Sequence, residues 1–151
     1  MSFGINEFFI ENLKLIKQVA MKFKRYCKTI QLENDPALIE AYKKVHQPEA
    51  SWPEISQGMK EIGILDMEIY IHENRLFMIM DTVADFDHDE AMKALAEKPR
   101  QAEWEAYVSQ FQRTSSGATA GEKWVLMERI YEMDQQQAFD ATDGQQKQAH
   151  E

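Results

Sequence analysis

Only one of the 151 residues is cysteine, Cys27, so no internal disulfide can form and a zinc site built on several cysteines is excluded. A reducing, cytoplasmic setting is the expectation. Basic residues are also scarce: 17 Lys and Arg stand against 26 Asp and Glu, a net charge of −9. A nucleic-acid partner would need a basic surface to neutralise its phosphates, and an anionic membrane surface would repel this chain. Long apolar runs are missing, and none approaches the ~20 residues of a membrane helix. There is no glycine-rich phosphate loop, no nucleophile elbow and no zincin helix, so covalent serine or cysteine catalysis has no support. What is present is a core: 44% of the residues are hydrophobic and 11% aromatic, which excludes wholesale disorder.

The length suits one domain, expected over residues 25–133. Residues 1–24 read as an N-terminal extension. Phe9, Leu13, Ile16 and Ala20 fall at helical spacing after a cap at Asn6. This stretch is either a helix packing on the domain or a partner, or an upstream start with Met21 as the natural one. Residues 134–151 are rich in Gln and carry one large apolar residue, Phe139, so a disordered tail is expected.

Within the domain, Arg25 to Leu32 reads as a strand. Asp35 and Pro36 start a helix with Leu38, Ala41, Tyr42 and Val45 on one face, ended by Pro48. Ser51-Trp52-Pro53-Glu54 reads as a capping box that opens a second helical piece, and Gly63 stops it. Ile64 to His72 alternates, with Leu65, Met67, Ile69 and Ile71 inward and Asp66, Glu68 and Tyr70 outward. Glu73-Asn74 forms a two-residue turn to Arg75–Asp81, apolar on both faces and therefore central. A helix over 85–97 follows, with a capping box at Asp87-x-x-Glu90; beyond Pro99 it restarts with Trp104, Tyr107, Val108 and Phe111 on one face. A loop over 114–123 leads to a last strand from Trp124 to Met133. The order βαββαβ is the α+β, ferredoxin-like split βαβ pattern. Its antiparallel sheet leaves one face uncovered, so a homodimer is expected.

Tyr42 and His46 are four apart, so a phenol and an imidazole share one helix face and can reach one ligand. Spacing alone equally allows a core-margin Tyr and a His capping carbonyls. Trp52 and Trp104 offer flat faces that pack on sugar C–H groups or fill a core. The run Asp85 to Glu90 resembles metal ligands but sits at a helix start and lacks the glycine of a calcium loop, so no metal is expected.

Tyr42-x-x-x-His46-x-Pro48-x-x-x-Trp52-Pro53-Glu54 followed by Gly63 to Tyr70 resembles the L-rhamnose mutarotase family. Residues 75–80, 101–107 and 122–131 continue the likeness, which spans about 25–133. The resemblance implies a dimeric α+β barrel that interconverts the α and β anomers of a 6-deoxy sugar without a cofactor. It implies His46 as catalytic proton donor, Tyr42 as a sugar-binding residue and Trp104 as part of the sugar pocket; protonation of the ring oxygen by His46 is the expected step. This chain departs from the rhamnose enzymes at Glu103, in place of the first Trp of a pair, and at Met67, in place of a Tyr. Both positions touch the sugar in the family. The second and third strands are similar to a branch associated with L-fucose, so L-fucose is favoured over L-rhamnose. The base stays open among Asp66, Glu68, Glu103 and water. Alternatives are a cofactor-independent monooxygenase on the same architecture, which would consume oxygen, and a non-catalytic sugar-binding module.

Overall fold

The computed structural model describes residues 3–20, 23–115 and 117–133. The expected tail over 134–151 and the alternative start at Met21 lie outside the described residues. The chain runs α1 (Phe3–Ala20), β1 (Phe23–Gln31), α2 (Pro36–Val45), a 3-10 turn (Pro48–Ala50), α3 (Pro53–Glu61), β2 (Ile64–His72), β3 (Arg75–Val83), α4 (His88–Ala96), α5 (Gln101–Ser109), α6 (Ala120–Lys123) and β4 (Val125–Leu126). The strands form one antiparallel sheet in the order β2-β3-β1-β4. This is the α+β arrangement expected from the sequence, with β3 central because both its neighbours need its hydrogen bonds.

Strand alternation sorts the two faces. Tyr26, Lys28 and Ile30 of β1 and Leu76, Met78, Met80 and Thr82 of β3 are buried beneath the helices. On β2 one residue breaks the expected pattern. The pairing shifts between Ile64 and Asp66, a β-bulge that turns Leu65 outward and brings Ile64 into the core instead. Met67, Ile69 and Ile71 keep their inward positions.

Caps set the helix that carries Tyr42 and His46. The Asp35 carboxylate accepts from the N–H groups of Ala37 (2.8 Å) and Leu38 (3.4 Å), and Pro36 takes the first helical position, where no N–H is needed. Asp87 caps α4 in the same way, accepting from Glu90 N–H at 3.3 Å, which explains the acidic run there. The Ser51 box does not form. The Ser51 hydroxyl donates back to the Pro48 carbonyl at 2.9 Å, so Trp52 becomes the cap residue of α3 and its indole is left at the domain surface. Gly63 (φ 101°) makes the turn into β2, where a Cβ would meet Val83 Cγ2 at 2.9 Å. In the hairpin the positive φ falls on Glu73 (54°), because Asn74 is tied to Leu32 through both its carbonyl and its side-chain amide.

Three further differences stand out. α1 starts at Phe3, so Asn6 is inside the helix rather than its cap, and Phe8, Phe9, Ile10, Leu13 and Leu15 are exposed. The small-residue stretch before Trp124 winds into α6. The last strand is two residues long, because β1 pairs with it only at Lys28 and Thr29, and Met127 adds one more bond to Cys27. Among the described residues no helix is long and apolar enough to cross a membrane.

Candidate functional site

A cavity of about 120 Å³ lies between the buried sheet face and α2, α3, α4 and α5. An outer cleft of about 380 Å³ adjoins it, and His46, Trp104 and Met67 line both. His46 and Trp104 therefore stand at the throat. Trp52 lines only the outer cleft, while Tyr42 lines only the inner cavity.

His46 is the residue after the last turn of α2, where free carbonyls are available. Its Nδ1 lies 2.9 Å from the Tyr42 carbonyl oxygen. A carbonyl only accepts, so Nδ1 carries the hydrogen and Nε2 is the atom that titrates. Burial pushes the imidazole below its usual value of 6.5, and the bond to Tyr42 opposes this. At neutral pH the ring is therefore uncharged, with a lone pair on Nε2. The Tyr42 ring packs against it at a tilt of 40°, with ring centroids 4.3 Å apart, and Trp104 meets it edge-on at 5.6 Å.

The Tyr42 hydroxyl belongs to a buried polar chain. Lys123 Nζ donates to Gln112 Oε1 at 3.1 Å and to Glu105 Oε2 at 2.6 Å. Gln112 in turn hydrogen-bonds the Tyr42 hydroxyl, which eases its ionisation, the mark of an amide N–H donating to the phenol oxygen. Desolvation outweighs this and raises the Tyr42 pKa, so the phenol keeps its proton. Glu105 uses both oxygens, one for Lys123 and one for Gln101 Nε2 at 2.9 Å.

The rim is aromatic. Trp52 meets Trp104 edge-on at 5.2 Å and stacks with Tyr107 at 5.6 Å, and the Arg100 guanidinium sits 4.2 Å from its ring centre. Arg100 has a left-handed backbone (φ 63°) and holds Glu103 through two bonds, 2.9 and 3.2 Å.

The structure thus brings together Tyr42, His46, Met67 and Trp104, with Trp52 at the cleft. Glu103 is exposed, held by Arg100, and does not line the cavity. Asp66 is on the opposite face of the sheet. It pairs with Asp81, which faces Arg25, and Glu68 lies in the same row of outward residues. Among the acidic candidates for a base, then, none reaches the throat. The carboxylate that lines the cavity is Glu105, two residues past Glu103. Lys28, Gln101, Glu105, Gln112 and Lys123 were not singled out from the sequence. Lys28 had a visible signal: a lysine in register with Tyr26 and Ile30 on the inward face of a strand. Among the described residues no group of three or more His, Cys, Asp or Glu side chains could hold a metal ion.

Residues 25–133 match the model of the L-rhamnose mutarotase family. The chain is 39% identical over 113 residues to an L-fucose mutarotase of Xanthomonas campestris pv. campestris, covering 74% of this chain and 89% of that protein. The crystal structure of an L-rhamnose mutarotase from Formosa agariphila superposes with a TM-score of 0.56 at 20% identity, covering 74% of this chain and 99% of that one, which shows a shared fold. The chain belongs to the L-rhamnose mutarotase family, isomerases that interconvert the anomers of a sugar.

Proposed function

We propose that this protein interconverts the α and β anomers of a 6-deoxy-L-hexose, with L-fucose preferred over L-rhamnose. The observation that carries the reading is His46 at the throat with its Nδ1 held on the Tyr42 carbonyl, which leaves Nε2 as the atom that exchanges a proton. Two features favour L-fucose: the 39% identity to an L-fucose mutarotase, and Met67 at the throat in place of a hydroxyl-bearing side chain.

In the opening half, His46 Nε2 accepts the proton of the anomeric hydroxyl and delivers it to the ring oxygen, both oxygens being bonded to C1, while the Tyr42 hydroxyl orients the sugar. The bond from C1 to the ring oxygen breaks and the aldehyde forms. The C1–C2 bond turns, and closure runs the two transfers backwards on the other face. His46 is thus the acceptor at the anomeric hydroxyl and the donor to the ring oxygen, the donor role expected for it. Each transfer needs only a group within hydrogen-bond reach, and no cofactor enters. Trp104 packs on the apolar face of the sugar, and Trp52 supports it from the cleft side.

The same reading includes a homodimer and a cytoplasmic setting. On the outward face of the sheet Phe77 and Ile79 are half-buried and Leu65, Tyr70 and Val125 are exposed. A second copy over this face is supported by those residues and tested by sedimentation, which should give twice 17.7 kDa.

NMR saturation transfer between the α and β anomeric protons tests the activity. L-fucose and L-rhamnose are run side by side, with and without protein. Faster exchange for L-fucose supports the proposal, faster exchange for L-rhamnose reverses the preference, and no change for either removes the activity.

A further inference from the structure

The mechanism uses His46, Tyr42 and Trp104, and it leaves two polar atoms in the same cavity unused. Lys28 lines the cavity from β1 and is 3% exposed. Its ammonium has three hydrogens to donate, yet its one hydrogen-bond partner among the described residues is the Met92 sulfur at 3.8 Å, a weak acceptor. Burial pushes its pKa down to about 8, with the Asp89 carboxylate opposing. Lys123 shows how this fold satisfies a buried lysine when it intends to: three oxygen acceptors lie within 3.1 Å of it. Lys28 has no such set.

Gln101 lines the cavity from the start of α5 and is 4% exposed. Its Nε2 donates to the Glu105 carboxylate, which can only accept, so the orientation of the amide is fixed. Its Oε1 is buried and has no hydrogen-bond partner among the described residues. A buried donor and a buried acceptor, each left wanting, cost folding free energy. Such groups persist where a ligand completes them. A hydroxyl both donates and accepts, so a leftover donor and a leftover acceptor in one pocket are the complement of sugar hydroxyls.

We propose that Lys28 and Gln101 are the floor of the sugar site, where Lys28 Nζ donates to one ring hydroxyl and Gln101 Oε1 accepts from another, away from the anomeric carbon held at His46. The proposal rests on the sugar-mutarotase reading of this cavity. Lys28 and Gln101 are then specificity residues. L-fucose and L-rhamnose differ in configuration at C2 and C4, and the floor reads hydroxyls of that part of the ring. A site built around such bonds rejects the sugar that leaves its buried groups unpaired.

The test uses the full chain and Lys28→Met, with Gln101→Met as a second variant. Thermal unfolding is read first. Sugar affinity is then read by tryptophan fluorescence, and anomer exchange by saturation transfer, each with L-fucose and L-rhamnose. Lys28→Met replaces an ill-satisfied buried charge by an apolar chain of similar length, so its Tm is expected to rise. Its L-fucose Kd and KM are expected to rise about 10- to 100-fold, with the loss on KM rather than kcat, and the gap between the two sugars to narrow. Gln101→Met should weaken binding in the same direction. A Lys28→Met protein with wild-type Kd, KM and sugar preference overturns the proposal, and so does a fall in Tm with binding intact. If the natural protein binds L-fucose without speeding exchange and Lys28→Met loses that binding, the mutarotase reading fails while the floor stands. A natural protein that neither binds nor exchanges either sugar overturns both.

Discussion

The two faces of the sheet handle polar groups in opposite ways. On the outward face several polar side chains are paired with one another. Arg25 holds Asp81 through two bonds of 2.8 and 3.0 Å, Tyr70 donates to Glu68 at 2.9 Å, and Arg75 reaches Thr29 at 3.2 Å. On the helix-covered face, where an unpaired polar atom is far more expensive, Lys28 Nζ and Gln101 Oε1 are left incompletely satisfied among the described residues. The same strand supplies both, since Cys27 and Lys28 are neighbours in β1 and differ only in which way alternation turns them. Water satisfies the exposed face at no cost. On the proposal above, a sugar rather than water completes the buried groups.

The contrast is broken most strongly at the throat. His46→Ala should slow anomer exchange by about 10²–10⁴-fold. Saturation transfer reads the rate, and tryptophan fluorescence should show a smaller change in sugar affinity. Next comes Lys123→Met, the opposite of Lys28→Met. It strands Glu105 and removes the support of Gln112, so thermal unfolding should show a loss of about 3–5 kcal/mol, the usual result of removing one partner of a buried ion pair. Two lysines, both buried, should thus shift Tm in opposite directions.

Acidity gives a middle-sized effect. Burial lowers the pKa of both His46 and His88 below 6.5. As pH falls below 6.5 the unfolded chain takes up protons before the folded one, so stability is complete above that pH and is lost below it. Denaturant midpoints between pH 7.5 and 5 check this. The acid limb of kcat/KM should have its midpoint below 6.5, because protonation of Nε2 removes the base. The smallest effect belongs to the outward face. Arg25→Ala opens a half-exposed pair and should cost about 0–1 kcal/mol of stability, with sugar kinetics unchanged.

Much of this contrast was legible in the sequence. The β-branched and aromatic residues of RYCKTIQL and the apolar run RLFMIMD marked two strands, and a four-residue step joined Tyr42 to His46. The bulge at Leu65 was not legible, because it is set by pairing with β3 across the sheet rather than by the local pattern. Nor was the choice between Glu103 and Glu105. Two positions apart on a helix they point to nearly opposite sides, and only the docking of α5 decides which meets the cavity. Ser51 failed as a cap for a similar reason, since the preceding 3-10 turn offered its hydroxyl a carbonyl first. The importance of Lys28 required a cavity to be seen, for alternation shows only that it points inward.

The measurement that bears most directly on the account is the nitrogen-15 spectrum of the histidine rings at pH 7, with His46 assigned from His46→Ala. The account predicts a neutral His46 with its proton on Nδ1, and an Nε2 resonance that moves when L-fucose is added. A ring that is charged at pH 7, or an Nε2 resonance that stays in place at saturating L-fucose, would contradict it.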